Sequence, residues 1–200
     1  MTTTQLIITA AGLSRRHPPN KLLLPSGNRT VIETTVWSFI DSNMGITVVT
    51  GHQWEKIKPL LNRRFGDRIT IVYNPDFATG LTSSIKAGLT NTSGEPDYWA
   101  FCNGDKPFIQ PATIEFLLAE LERIKPLILV PTFSERMGHP TFFSSELTPE
   151  LLALSGDNGA REIILRHGNA VRYVPVNDAG VALDMDSYLD SNNTGHNTNQ

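Results

Sequence analysis

One cysteine, Cys102, stands in a chain of 200 residues. A lone thiol excludes an intramolecular disulfide framework and fits a reducing compartment. It lies in an apolar run, so it reads as a buried structural thiol rather than a nucleophile. An excess of either charge is missing as well. The 17 Lys and Arg against 20 Asp and Glu leave a net charge of −3, which offers no broad basic surface to a nucleic acid. No apolar run approaches the roughly 20 residues that span a bilayer. Met1-Thr2-Thr3-Thr4 has neither the basic region nor the long apolar stretch of a secretory signal. A cytoplasmic protein with no nucleic-acid or membrane partner is expected. The phosphate-binding patterns G-x-G-x-x-G and G-x-x-x-x-G-K-[ST] are also absent, so neither a dinucleotide fold nor a P-loop ATPase gains support.

The hydrophobic content of 40% suits one globular domain with a real core. Apolar, β-rich runs alternate with helical patterns. Leu6–Ala10, Ile46–Thr50, Ile69–Tyr73, Tyr98–Asn103 and Leu127–Val130 read as buried strands. Thr30-Val31-Ile32-Glu33 is a capping box opening a helix whose core stripe is Ile32, Val36, Phe39 and Ile40. Trp54, Ile57 and Leu61 suggest a second helix, which Pro59 weakens. Pro111 sits well at a first helical turn, with Ile114, Leu117, Leu118, Leu121 and Ile124 following at helical spacing. Thr148-Pro149-Glu150 opens a short helix, and Pro140–Phe143 and Val171–Val176 add late strands. Such alternation predicts parallel βαβ units and a three-layer α/β/α domain over residues 1–189. Residues 190–200 are polar and expected to form a disordered tail outside the core.

In open α/β sheets ligands bind at the carboxyl ends of the strands, and the unusual polar clusters fall there. The first strand stops at Ala10-Ala11-Gly12-Leu13-Ser14, followed by Arg16 and Lys21. Gly12 permits unusual backbone angles and close approach of a ligand. Backbone N–H groups there could cradle a phosphate, with Arg16 and Lys21 adding charge. An ordinary strand-to-loop turn with solvated basic residues accounts for the segment equally well. Gly104-Asp105-Lys106-Pro107 follows the strand Tyr98–Asn103, where Asp105 is either a Mg²⁺ ligand or a turn aspartate bonded to its own backbone. Thr82 and Ser83, after Gly80, can cap a helix whose free N–H groups attract phosphate. Asp184 and Asp186 would share one face if their segment were extended. His139 and the glycine-rich loop Gly156–Arg161 read, unaided, as a structural histidine and a loop with an aspartate cap.

These segments together resemble the molybdenum-cofactor nucleotidyltransferases, the MobA/MocA-like family. The opening loop matches A-A-G-x-S-x-R-M-G-x-x-K at Ala10, Ala11, Gly12, Ser14, Arg16 and Lys21, with His17 and Pro18 in place of Met-Gly. Further matches are Asn74-Pro75 through Gly80-Leu81-Thr82-Ser83-Ser84, the G-D-x-P element at Gly104–Pro107, R-x-G-H-P at Arg136–Pro140, G-D-x-G-A-R at Gly156–Arg161, and Asp184-Met185-Asp186. Lys106 departs from the family's Gln, and Ser187-Tyr188-Leu189-Asp190 departs from T-P-E-D and suggests a shortened last helix.

The resemblance implies a nucleotidyltransferase-type fold, Rossmann-like and mostly parallel. It implies Mg²⁺-dependent transfer of a nucleoside monophosphate, CMP from CTP, to a phosphorylated acceptor of the molybdopterin type, with a molybdoenzyme or its chaperone as a further partner. By it Arg16, Lys21 and Asp105 are catalytic, and Ala10 to Ser14, Gly80, Thr82, Ser83 and Gly104 border the nucleotide. Asp105, Asp184 and Asp186 serve the metal, and Arg136, His139, Gly159 and Arg161 face the acceptor. Two alternatives stay open at this point: another phosphorylated acceptor such as a sugar phosphate, and a cofactor-binding carrier without catalysis.

Overall fold

A computed structural model of the chain describes residues 2–14 and 20–194. The strands are β1 (Thr4–Ala10), β2 (Pro25–Ser26), β3 (Arg29–Thr30), β4 (Gly45–Thr50), β5 (Thr70–Tyr73), β6 (Tyr98–Asn103), β7 (Ile128–Phe133), β8 (Arg136–Met137), β9 (Thr141–Ser144) and β10 (Val171–Pro175). The α-helices are α1 (Val31–Trp37), α2 (Trp54–Phe65), α3 (Leu81–Asn91), α4 (Pro111–Ile124), α5 (Thr148–Ala153), α6 (Arg161–His167) and α7 (Met185–Thr194). The main sheet runs β10-β7-β9-β6-β1-β4-β5, with β8 paired to β7. Its pairings are parallel except those made by β8 and β9. β2 and β3 form a separate small hairpin.

Side-chain alternation along the strands divides the core into two clusters. Leu6, Ile8 and Val48 pack with Ile32, Ile57, Leu117 and Met185 on the face of α1, α2, α4 and α7. Ile7 and Val49 pack with Ile85, Leu151, Ile163 and Ile164 on the face of α3, α5 and α6. This is the expected three-layer arrangement.

Several boundaries differ from the sequence reading. The first helix ends at Trp37, and Phe39 and Ile40 are buried in the turn beyond it. The full capping box is present: Glu33 N–H donates to Thr30 Oγ1 and Thr30 N–H to the Glu33 carboxylate. Pro59 does not interrupt α2, where buried Ile57, Leu61 and Phe65 anchor the helix on both sides of it. The largest correction is at the C-terminal end. Asp184 to Asp186 is not extended: α7 starts at Met185 and continues through Asp190 to Thr194, where a polar tail was expected. Met185 and Leu189 pack on the larger core cluster and hold this helix down.

Candidate active site

The C-terminal ends of β1 and β6, with the turn before α3, open into one cleft of about 510 Å³. Backbone bonds tie the loops around it: Gly104 N–H donates to the Thr9 carbonyl at 2.9 Å, His52 N–H to Ala11 at 3.2 Å, and Asn74 N–H to Thr50 at 2.8 Å. From α1, Thr35 Oγ1 donates to the Gly104 carbonyl at 2.9 Å. Residues far apart in sequence are thereby held at one rim.

The loop after β1 contributes Ala11 to Ser14 to this cleft, while Ala10 is buried beneath them in the strand. Gly12 does not need a left-handed backbone, contrary to one reason for its choice; Ser14 takes that conformation, at φ 50°. Instead, a Cβ on Gly12 would meet no atom of the described residues within 4 Å, so this stretch of backbone is open toward them. Ser14 Oγ accepts from Lys21 N–H at 3.0 Å and closes the loop. Arg16, His17 and Pro18 lie outside the described residues.

The electrostatic centre is Lys21 between two carboxylates. Its Nζ lies 2.6 Å from Asp105 Oδ2 and 2.8 Å from Asp186 Oδ2. Burial works against its charge, but Asp105 and Asp186 outweigh it and hold the ammonium pKa above its usual value. Asp105 is buried, and its Oδ1 is sealed without a hydrogen-bond partner among the described residues. Such an orphaned oxygen is costly unless a ligand meets it. Met185 N–H donates to the Asp105 carbonyl at 3.0 Å, which brings the start of α7 and Asp186 to this point. Asp184 is occupied otherwise: its Oδ1 accepts Ser187 N–H at 2.8 Å. Burial raises its pKa, but the hydrogen bonds from Ser187 and the charges of Lys106 and Lys21 prevail, so the net shift is downward. Among the described residues no group of three or more His, Cys, Asp or Glu is arranged to hold a metal.

Opposite stands the turn before α3. Gly80, at φ 117°, is its N-cap, not Thr82 or Ser83 as the sequence suggested. The cap bond comes from elsewhere in the chain, as Leu81 N–H donates to Asp157 Oδ1 at 2.8 Å. Asp157 thus caps α3 and not its own helix, whose N-cap Ala160 makes no side-chain bond. Thr82 and Ser83 line a neighbouring crevice beside Asn74 and Asp76, whereas Ser84 reaches the cleft. Sequence reasoning missed Asp157, Asn103 and Ser84 as parts of the cleft. A partner 76 residues away leaves no local signal for the Asp157 bond.

The four residues expected at an acceptor do not form one group. Gly159 packs against Leu81, where an added Cβ would approach Leu81 Cδ2 to 2.8 Å, so it belongs to the α3 turn. Arg161, at the first position of α6, and Arg136, on β8, are exposed. His139 does not line the cleft. Its N–H donates to the Val181 carbonyl at 2.9 Å, and its Nδ1 is 3.2 Å from the Phe101 carbonyl oxygen. Burial, aided by the Lys106 charge, pushes its pKa down to about 4, so the ring is neutral at physiological pH.

Comparison with known proteins follows the same lines. Residues 6–171 match the MobA-like NTP transferase domain. The molybdenum cofactor cytidylyltransferase of Escherichia coli strain K12 is 27% identical over 189 residues, which cover 94% of this chain and 93% of that protein. The crystal structure of a homologue of Mycobacterium tuberculosis Rv0371c, from Mycobacterium sp. strain JC1, superposes with a TM-score of 0.81 at 28% identity, covering 96% of this chain and 94% of that one. The manganese complex of Rv0371c from Mycobacterium tuberculosis H37Rv gives 0.78 at 23% identity, over 98% and 100% of the two chains. With five-sixths of its length inside that one domain profile, the chain belongs to the MobA-like NTP transferases and is a nucleotidyltransferase.

Proposed function

We propose that the enzyme transfers CMP from CTP to a phosphorylated acceptor of the molybdopterin type and releases pyrophosphate, with Mg²⁺ as the divalent cation. The observation that carries this reading is the pair Asp105 and Asp186, which converge on one point of a cleft walled by the Gly12 loop and the Gly80 turn. The donor set fits the ion. Asp105 Oδ1 lacks a partner among the described residues, both ligands are hard carboxylates, and Mg²⁺ takes one or two of these with waters and phosphate oxygens. Of the three aspartates, Asp105 and Asp186 are the better pair, because Asp184 is committed to the first turn of α7. Manganese in a protein of the same fold supports a divalent cation here. Such an ion would neutralise phosphate charge in the cleft.

The chain's own residues would do the positioning. Lys21 would supply charge to the triphosphate, and the open backbone at Gly12 would lie against it. Gly80 and Leu81 would border the nucleoside. A phosphate nucleophile needs little activation, so alignment and charge neutralisation suffice. The cytidylyltransferase resemblance, which spans nearly the whole chain, supports CTP as the nucleotide.

Pyrophosphate release tests the reading, with CTP, GTP, ATP and UTP each offered with Mg²⁺ and either a molybdopterin-type acceptor or a sugar phosphate. Release that requires CTP and the molybdopterin-type acceptor is expected. Release with a sugar phosphate alone would reassign the acceptor. No release with any combination would remove the catalytic role proposed for the cleft.

A further inference from the structure

A second cavity, of about 900 Å³, lies at the other end of the strands, where β1 and β4 begin. Its walls are the start of β1, the turn 41–45, the loop 93–96 before β6, and one face of α4. Thr4 lines this cavity and Thr9 lines the catalytic cleft. At a rise of about 3.3 Å per residue, β1 separates the two by roughly 17 Å. The volume is of the order that takes a small molecule.

The floor is apolar. Met44 and Leu121 are buried, Leu118 is half-buried, and all three pack on the core face that holds Leu6 and Ile8. Side chains alternate along β1, so Thr4 is directed to that same face. Thr4 is 7% exposed, and its Oγ1 is buried with no hydrogen-bond partner among the described residues. A hydroxyl left this way is costly unless a ligand meets it. The rim is acidic: Asp41, Glu95, Glu115 and Glu122 line it, and no Lys, Arg or His among the described residues does. Asp41 is paired with Arg68 at 2.8 Å, and Glu122 accepts from Thr2 N–H. Glu95 and Glu115 are exposed and form neither a hydrogen bond nor an ion pair with the described residues.

We infer that this cavity binds a small organic cation: an amine on an apolar body, with a second polar group that meets Thr4. The ammonium gains charge-assisted hydrogen bonds from Glu95 and Glu115, and the same carboxylates repel an anion. The hydrocarbon body covers Met44 and Leu118 and leaves water. The hydroxyl of Thr4, as donor or acceptor, takes the polar group at the far end. The two cavities share no lining residue, so binding here is independent of the nucleotidyl-transfer reading.

Calorimetric titration of the full chain with three probes tests this: tyramine, tyrosol, which has a hydroxyl in place of the amine, and phenethylamine, which lacks the phenol oxygen. Tyramine should bind about tenfold or more tightly than tyrosol, the gain expected for one charged hydrogen bond. It should exceed phenethylamine by about threefold, the gain for a neutral one. The double variant Glu95→Gln, Glu115→Gln should bring tyramine within about twofold of tyrosol. Thr4→Val should remove the preference for tyramine over phenethylamine. It should also melt no lower than the wild type, because a methyl of the same shape replaces a partnerless hydroxyl. Absence of tyramine binding, equal binding of tyramine and either analogue to the wild type, or a tyramine preference that survives the double variant would each overturn the assignment. A clear drop in melting temperature for Thr4→Val would do so as well, since the hydroxyl would then already be satisfied within the fold.

Discussion

Asp105 offers one oxygen to Lys21 and keeps the other sealed and unpartnered among the described residues. Asp105→Asn keeps the shape and removes the charge, so Lys21 retains Asp186 as its counter-ion. Turnover with Mg²⁺ is expected to fall about a hundredfold or more, the scale seen when one electrostatic contact to a transition state is lost. The melting temperature should change little. Near wild-type turnover in a Mg²⁺ titration would remove Asp105 from the metal site. His139 makes a prediction about pH. Its folded pKa is lowered to about 4 from an ordinary 6.5, chiefly by burial. Between those values the unfolded chain carries a proton on this ring that the folded chain does not, so stability falls as pH drops through that window. His139→Gln should therefore lose less stability than the wild type between neutral pH and about pH 4, measured as urea midpoints. Parallel losses in the two proteins would show that the ring titrates alike in both states.

Two elements at the cleft are set by contacts outside themselves. α3 begins at a glycine whose φ is 117°, and its first N–H is satisfied by Asp157 from the loop before α6. A Cβ at Gly80 would come within 2.6 Å of Asp157 Oδ1. Gly80→Ala meets both obstacles and should cost about 1–3 kcal/mol, the range for a residue forced into a glycine-only conformation. It should also weaken nucleotide binding, because the turn and the Asp157 loop separate. Urea denaturation and a CTP titration would check the two effects, and an unchanged midpoint would contradict the strain argument. The start of α7 depends equally on tertiary contact, through Met185 N–H bonded to the Asp105 carbonyl and Met185 and Leu189 packed on the core.

On the scale of the molecule, β9 is the antiparallel member that joins two parallel parts of the sheet. Its Phe142 is fully buried and stands opposite both Ala100 of β6 and Leu129 of β7. Phe142→Ala removes a large side chain from this junction and should destabilise the fold by about 3–5 kcal/mol. Because β9 starts just after His139, the damage should reach the surroundings of His139. Chemical denaturation gives the magnitude, and a loss below 1 kcal/mol, well under that range, would mean that the junction collapses around the cavity. No helix among the described residues is long and apolar enough to cross a membrane.

What the amino-acid order determined is local. The apolar runs of β1, β4 and β6 and the helical stripes of α1, α2 and α4 carry their own periodicity, so layers and strand positions were legible before any coordinates. The Thr30–Glu33 capping box was legible because it closes within one turn. The six family motifs were legible because close spacing preserves their pattern. What tertiary structure alone decided is every partnership across the sheet. Asp157 could not be assigned to Leu81, nor Asp186 preferred over Asp184, because those choices depend on which loops meet. A helical start at Met185 instead of an extended strand likewise depends on the core surface that Met185 and Leu189 cover. Lys106 reads in the sequence as a departure from the family's Gln beside an aspartate. Only the packed chain shows it buried, because burial is a property of neighbours that the chain order does not list.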